Sequence, residues 1–104
     1  MSLTLEALDE RLRQRAAASP DESYTARLLA DGVERCARKF GEEAVETIVA
    51  AVSGDRAGLT GEAADVLYHL LVLWADQKVE PEAVWKALAK RRETSAMVQG
   101  TSAG

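Results

Sequence analysis

The sequence predicts an all-α domain of about five helices. Two observations support this fold class. No segment shows a sustained alternation of apolar and polar residues, the pattern of a half-buried strand. Apolar residues instead recur every three or four positions, in segments separated by proline, glycine and serine. A chain of 104 residues suits one small domain, and a helical domain of this size often gains stability by forming oligomers.

The first two helices lie before and after a Ser-Pro-Asp turn at residues 19–21. The first is predicted for residues 3–17, where leucines recur at helical spacing: Leu5, Leu8 and Leu12. Asp21 or Ser23 can cap the second helix, which is expected to run towards Cys36. Gly41 lowers helix stability, and the boundary between the second and third helices is therefore expected near it.

The third helix contains the stretch KFGEEAVETI, residues 39–48, and is predicted to end at a left-handed Gly54. Four of its apolar residues follow the spacing of a buried face: Val45, Ile48, Val49 and Val52. We name this set the apolar stripe. On a helical wheel the nearby glutamates are expected to flank the apolar stripe.

The fourth helix is predicted from about Thr60 to Gln77. Beyond Asp65 it is apolar nearly all round, which indicates a central position in the bundle. A fifth helix is predicted from Pro81, a favoured first-turn residue, to about Arg92. The domain is expected to cover residues 1–95, with a flexible tail at 96–104.

Composition and charge exclude several classes of function. A formal net charge of −4 argues against a nucleic-acid binder that relies on phosphate attraction. The longest apolar run, residues 66–75, is too short to span a bilayer, and no signal peptide is visible, so a cytoplasmic protein is expected. The single cysteine, Cys36, suits a reducing compartment and is interpreted as a small buried thiol.

Two pairs of acidic residues suggest a metal site. Glu43 and Glu46 are three positions apart on the third helix, as Glu62 and Asp65 are on the fourth, so each pair can hold one ion. Across a short turn the two pairs can face each other, and four converging carboxylates repel one another unless a cation neutralises them. Oxygen ligands favour Mg²⁺ or Mn²⁺. Each pair alone also fits a simpler interpretation, a solvated helix face or acids favoured by the helix dipole.

Basic residues beside the acids suggest an anionic substrate. Lys39 lies one turn before Glu43 and is the leading candidate for a phosphate contact, and Arg38 is a second. His69 continues the stripe of Glu62 and Asp65, where it could support the site or simply be a core histidine. Such a set favours metal-assisted hydrolysis of a phosphoanhydride, with water activated by the metal or by a glutamate.

Four segments resemble the phosphoribosyl-ATP pyrophosphohydrolase family, within the MazG-like all-α NTP pyrophosphatases. They are KFGEEAVE (39–46), EAADVLYHLLVL (62–73), SYTARLLADG (23–32) and WKALAKRRE (85–93). The resemblance implies Mg²⁺-dependent cleavage of phosphoribosyl-ATP to phosphoribosyl-AMP and pyrophosphate, the second step of histidine biosynthesis. It also implies a bundle completed by homodimerisation, with Glu43, Glu46, Glu62 and Asp65 as catalytic metal ligands and Glu42 beside them. Lys39 would then meet phosphate.

Two other hypotheses remain open at this stage. One is a house-cleaning NTP pyrophosphohydrolase with the same metal site and a different nucleotide. The other is a non-catalytic helical dimerisation module whose acids are incidental.

Overall fold

Five α-helices account for the regular structure of residues 4–98, the part of the chain that the computed structural model describes. They are α1 (Leu5–Ala16), α2 (Tyr24–Asp31), α3 (Val33–Ser53), α4 (Arg56–Asp76) and α5 (Pro81–Val98). No strand occurs within 4–98. The predicted all-α class and the number of helices are confirmed.

Side-chain caps set the starts of α1 and α2. The Thr4 hydroxyl accepts a hydrogen bond of 3.0 Å from the Ala7 amide, and the Ser23 hydroxyl accepts one of 3.1 Å from the Ala26 amide. Each satisfies an amide of a first helical turn that has no partner within the helix. Of the two caps considered for α2, Ser23 is therefore the correct one.

The boundary between α2 and α3 lies at Gly32, not near Gly41. Gly32 has a φ of 99°, a conformation that glycine adopts without strain, whereas Gly41 lies inside α3. The prediction that α2 runs towards Cys36 is therefore wrong. The Asp31-Gly32 pair was the available signal, because this dipeptide commonly marks a turn.

A tight turn joins α3 and α4 into an antiparallel hairpin. Gly54 caps α3 in the left-handed region with φ 77° and ψ 19°, as predicted. α4 begins at Arg56 rather than near Thr60, because the Asp55 carboxylate accepts a 2.9 Å hydrogen bond from the Gly58 amide and so acts as the cap. α5 extends beyond the predicted end at Arg92, and residues 99–104 of the predicted tail lie outside the described range.

The hydrophobic core lies at one end of this hairpin. Its buried cluster draws on α1, α2, the start of α3 and the second half of α4: Leu12, Leu28, Cys36, Leu71 and Val72. α4 packs against α1, α2 and α3, which confirms its central position. Cys36 is fully buried and donates to the Leu28 carbonyl at 3.3 Å, as expected for a structural thiol.

The apolar stripe of α3 is exposed, contrary to prediction. Its four side chains have exposed fractions of 59% (Val45), 60% (Ile48), 60% (Val49) and 84% (Val52). α1 and α2 pack at the other end of the hairpin, and α4 lies against the opposite face of α3. No helix within residues 4–98 is both long and apolar enough to cross a membrane.

Candidate metal centre

The inner face of α3, which packs on α4, is built from small and polar side chains apart from Phe40. Its less exposed residues recur at helical spacing: Cys36, Phe40, Glu43, Thr47 and Ala50. Glu43 lies roughly 190° around the helix from the centre of the apolar stripe. The expectation that this glutamate flanks the stripe is therefore wrong, because it points towards α4 instead.

Three carboxylates converge between α3 and α4. One oxygen from each of Glu43, Glu62 and Asp65 lies within 4.8 Å of the others; Glu43 and Glu62 are half-buried and Asp65 is exposed. An octahedral Mg²⁺ about 2.1 Å from each ligand holds oxygens roughly 3 to 4 Å apart, so small side-chain adjustments suffice to close the set on an ion. No other group of three potential ligands occurs among the described residues.

Glu62 shows the strongest electrostatic perturbation of the group. Its pKa is raised to about 7, first by a hydrogen bond shared with Glu43, then by desolvation and by the negative charge of Glu46. Its Oε1 is buried and has no hydrogen-bond partner in the described structure. Such an oxygen is costly to leave unpaired, and a bound cation would satisfy it. The donor set therefore fits a hard divalent ion.

Glu46 lies beside Glu62 at the edge of the cluster. Its negative charge helps to raise the pKa of Glu62, although its own side chain is exposed. Glu46 and Glu62 also line an open groove of about 290 Å³ that continues to Val49 and to the α3–α4 turn. The groove thus connects the carboxylates with the apolar stripe.

Glu42 and Lys39 form an ion pair next to the carboxylates. Lys39 Nζ lies 3.2 Å from a Glu42 oxygen, and this hydrogen bond is the main reason that the pKa of Lys39 is raised. Glu42 thus keeps the positive charge of Lys39 near Glu43. Glu42 itself is not one of the three converging carboxylates. Arg38 is exposed on α3.

His69 is buried behind the carboxylates, with 6% of its surface exposed. Its ring meets those of Tyr68 and Tyr24 edge to face, at centroid distances of 4.9 and 6.3 Å. Burial lowers its pKa, and the charge of Glu43 acts in the opposite direction. Its Nδ1 has no hydrogen-bond partner among the described residues. His69 therefore forms part of the wall of the site.

A larger groove of about 590 Å³ lies between α1 and the start of α5. Arg13 crosses it, 2.8 Å from the Asp9 carboxylate and 3.4 Å from that of Glu80. Arg13 thus pairs with two of the acids that line this groove, and the groove holds no converging triad of potential ligands among the described residues. We therefore place the candidate site at the α3–α4 carboxylates.

Comparison with known proteins identifies the family of this chain. Residues 5–92 match the family described as phosphoribosyl-ATP pyrophosphohydrolase. This chain belongs to that family. Its matched region contains every residue of the carboxylate cluster, together with Lys39 and His69.

Three relatives are similar over most of their lengths. A phosphoribosyl-ATP pyrophosphatase of Paramagnetospirillum magneticum is 56% identical over 94 residues, which cover 90% of this chain and 86% of the relative. One of Roseobacter denitrificans is 53% identical over 97 residues, covering 93% and 92%. One of Azospirillum brasilense is 50% identical over 95 residues, covering 91% and 86%.

The interhelical contacts of Tyr24 and Tyr68 escaped sequence reasoning. The Thr25 hydroxyl hydrogen-bonds the Tyr68 hydroxyl, which ties α2 to α4 across 43 positions of sequence. The two tyrosine rings stack nearly parallel, 6.3 Å apart and at an angle of 19°. The Ser-Tyr-Thr segment was visible in the sequence, but the sequence does not indicate which residues of α4 these side chains contact.

Proposed function

We propose that this protein hydrolyses phosphoribosyl-ATP to phosphoribosyl-AMP and pyrophosphate, the second step of histidine biosynthesis. The observation that carries the proposal is the convergence of Glu43, Glu62 and Asp65 around an unpartnered buried oxygen, in a chain of this family. Water adds to the α-phosphorus, the bond to the α–β bridging oxygen breaks, and pyrophosphate leaves with that oxygen.

Glu43, Glu46, Glu62 and Asp65 are the proposed ligands of Mg²⁺, with Mn²⁺ as a substitute. When bound, the ion offsets charge on the phosphate oxygens and orients the attacking water. The raised pKa of Glu62 supports this assignment, because its causes are the interaction with Glu43, desolvation and the charge of Glu46, and a bound cation would favour the ionised carboxylate against all three.

Other residues of the chain act on the substrate directly. Lys39, held by Glu42, supplies a fixed positive charge to a phosphate oxygen at the edge of the cluster, and Arg38 can add a second from the exposed side of α3. A carboxylate of the cluster accepts the proton that the attacking water loses. His69 and the tyrosines exclude water from one side.

The proposal includes a homodimer in which a second copy covers the apolar stripe. A contiguous set of largely exposed valine and isoleucine side chains is unusual on a monomer surface. Burying each side chain contributes about 1.5–3 kcal/mol relative to leaving it exposed. Two hairpins joined through this stripe would give a four-helix bundle. Because Val49 also lines the groove of Glu46 and Glu62, the interface would border the active site.

A cytoplasmic location is part of the proposal. Cys36 is a free, fully buried thiol, and such a cysteine stays reduced in the cytoplasm.

The decisive experiment is a turnover assay of pyrophosphate release. The full chain is incubated with phosphoribosyl-ATP and, separately, with a panel of canonical and damaged nucleoside triphosphates, each with Mg²⁺ and with EDTA. We expect release from phosphoribosyl-ATP only with the metal, at a kcat/KM well above that for the panel. A preference for a triphosphate of the panel would instead support the house-cleaning alternative.

A further inference from the structure

Ser23 and Thr25 hold an exposed tyrosine in a defined place. Ser23 is 3% exposed and caps α2, and Thr25 is 6% exposed and hydrogen-bonds Tyr68. Tyr24, between these two buried anchors, keeps 40% of its surface exposed. Its ring stacks on Tyr68, so its position is fixed from α4 as well as from α2.

The guanidinium group of Arg27 lies over the ring of Tyr24. The Arg27 Cζ lies 5.5 Å from the centroid of the Tyr24 ring, within cation–π distance. Arg27 Nη1 also donates to the Pro20 carbonyl at 3.1 Å, which leaves most of its N–H donors available. Arg27 is exposed, and it takes part in none of the ion pairs among the described residues. It is a surface cation that forms no ion pair with a carboxylate in the described part of the chain.

The Tyr24–Arg27 pair lies beside the metal centre rather than within it. Tyr24 is 6.3 Å from His69 between ring centroids, and the charges of Glu43 and Asp65 act on His69. Tyr24 also acts on the charge of Lys39, the proposed phosphate contact. Tyr24 therefore neighbours His69, which in turn lies close enough to Glu43 and Asp65 to feel their charge.

This inference rests on the proposed function. Phosphoribosyl-ATP carries anionic groups at two ends, a triphosphate on one ribose and a phosphate monoester on the second ribose, with adenine between them. Lys39 and the ion proposed to be held by the carboxylates account for the triphosphate end. The second phosphate needs a separate cation, because the carboxylates would repel it.

We propose that Arg27 binds the phosphate monoester of the second ribose and that Tyr24 positions the guanidinium for it. Arginine offers paired donors that match phosphate geometry, and its stacking on Tyr24 reduces the side-chain freedom lost on binding. The pair would thus distinguish a phosphoribosyl nucleotide from a simple nucleotide of the same base.

Calorimetric titration with two nucleotides tests the proposal. Phosphoribosyl-AMP and AMP share the α-phosphate, and only the first has the second phosphate. We expect wild-type protein to bind phosphoribosyl-AMP more tightly than AMP. Arg27→Gln should weaken phosphoribosyl-AMP binding about 10-fold or more and change AMP binding less than about 2-fold. In turnover of phosphoribosyl-ATP, KM should rise while kcat changes little.

Arg15→Gln is the matched control. Arg15 also donates to a backbone carbonyl of the segment between α1 and α2, that of Glu22 at 2.9 Å, but no contact with Tyr24 is present in the described structure. Arg15→Gln should leave the affinities for phosphoribosyl-AMP and for AMP unchanged. Tyr24→Phe, which keeps the ring, should retain the preference, and Tyr24→Ala should reduce it. Arg27→Lys, which keeps the charge but not the fork of donors, should fall between wild type and Arg27→Gln.

Two failures can be told apart. If wild-type protein does not release pyrophosphate from phosphoribosyl-ATP, the proposed function fails and this inference fails with it. If it does so, yet Arg27→Gln weakens both nucleotides equally or neither of them, only the assignment of Arg27 is overturned. Thermal melts by circular dichroism establish that each variant is folded.

Discussion

The inner face of α3 consists of small and polar side chains apart from Phe40, whereas its outer face carries valine and isoleucine. In the single chain the polar face is packed against α4 and the apolar face is exposed. This is the reverse of the usual arrangement in a water-soluble domain. The comparison indicates that the inner face serves the carboxylates, while the outer face is available to another surface.

Removing a carboxylate from the inner face should have the largest effect. Asp65→Asn takes one ligand out of the converging set, and we expect Mg²⁺-dependent turnover of phosphoribosyl-ATP to fall by at least about 100-fold while the helical circular dichroism signal persists. Asp76→Asn, at the far end of α4, is the matched control and should retain activity. Unchanged turnover in Asp65→Asn would favour the non-catalytic dimerisation module. Glu46→Gln tests the acidic pair of α3 in the same assay.

A charge on the outer face should break the proposed dimer. Ile48→Asp places a carboxylate in the middle of the apolar stripe, and the cost of desolvating it should raise the dissociation constant at least about 100-fold. Light scattering coupled to size-exclusion chromatography measures the mass directly. Val33→Asp makes a comparable substitution at the start of the same helix, away from the stripe, and should leave the mass unchanged. A variant Ile48→Asp that remains dimeric would assign the contact to another surface.

The pH dependence of stability should report the acidic inner face. The pKa of Glu62 rises from 4.5 to about 7 on folding, so the metal-free folded protein binds more protons than the unfolded chain between these values. The stabilising contribution is complete below about pH 4.5 and is lost as pH rises through about 7. Buried His69, whose pKa is lowered, acts in the opposite direction, so the comparison must be made with Glu62→Gln.

Thermal melts in EDTA across pH 4.5 to 8 measure this contribution. The Tm of the wild type should fall relative to that of Glu62→Gln as the pH increases. Saturating Mg²⁺ should reduce this dependence, because the ion stabilises the ionised carboxylates. A difference that does not vary with pH would contradict the raised pKa of Glu62.

The smallest effect is expected from relief of repulsion alone. Without metal, Asp65→Asn removes one negative charge near Glu43 and Glu62 and should raise the Tm by about 1–2 °C at neutral pH, a modest gain because Asp65 is exposed. With Mg²⁺ the sign should reverse, since wild type then gains from the ligand. A lower Tm for the variant in EDTA would argue against repulsion between these carboxylates.

Much of the site followed from spacing along the helices. Acids three positions apart on α3 and α4, joined by a short turn with Gly54 at its start, were enough to predict carboxylates facing one another. The orientation of α3 was not predictable in the same way. Hydrophobicity places the apolar stripe in a core, but it does not specify whether that core belongs to one chain or to two.

The sequence by itself determined the helical class, the C-cap at Gly54 and the two acidic pairs, because these depend on residues close together in the chain. Only the tertiary structure decided that the apolar stripe stays exposed and that the Tyr24–Arg27 pair lies against Tyr68 and His69 of α4. Those features depend on which helix faces meet, and this is set by the packing of α1 and α2 at one end of the hairpin.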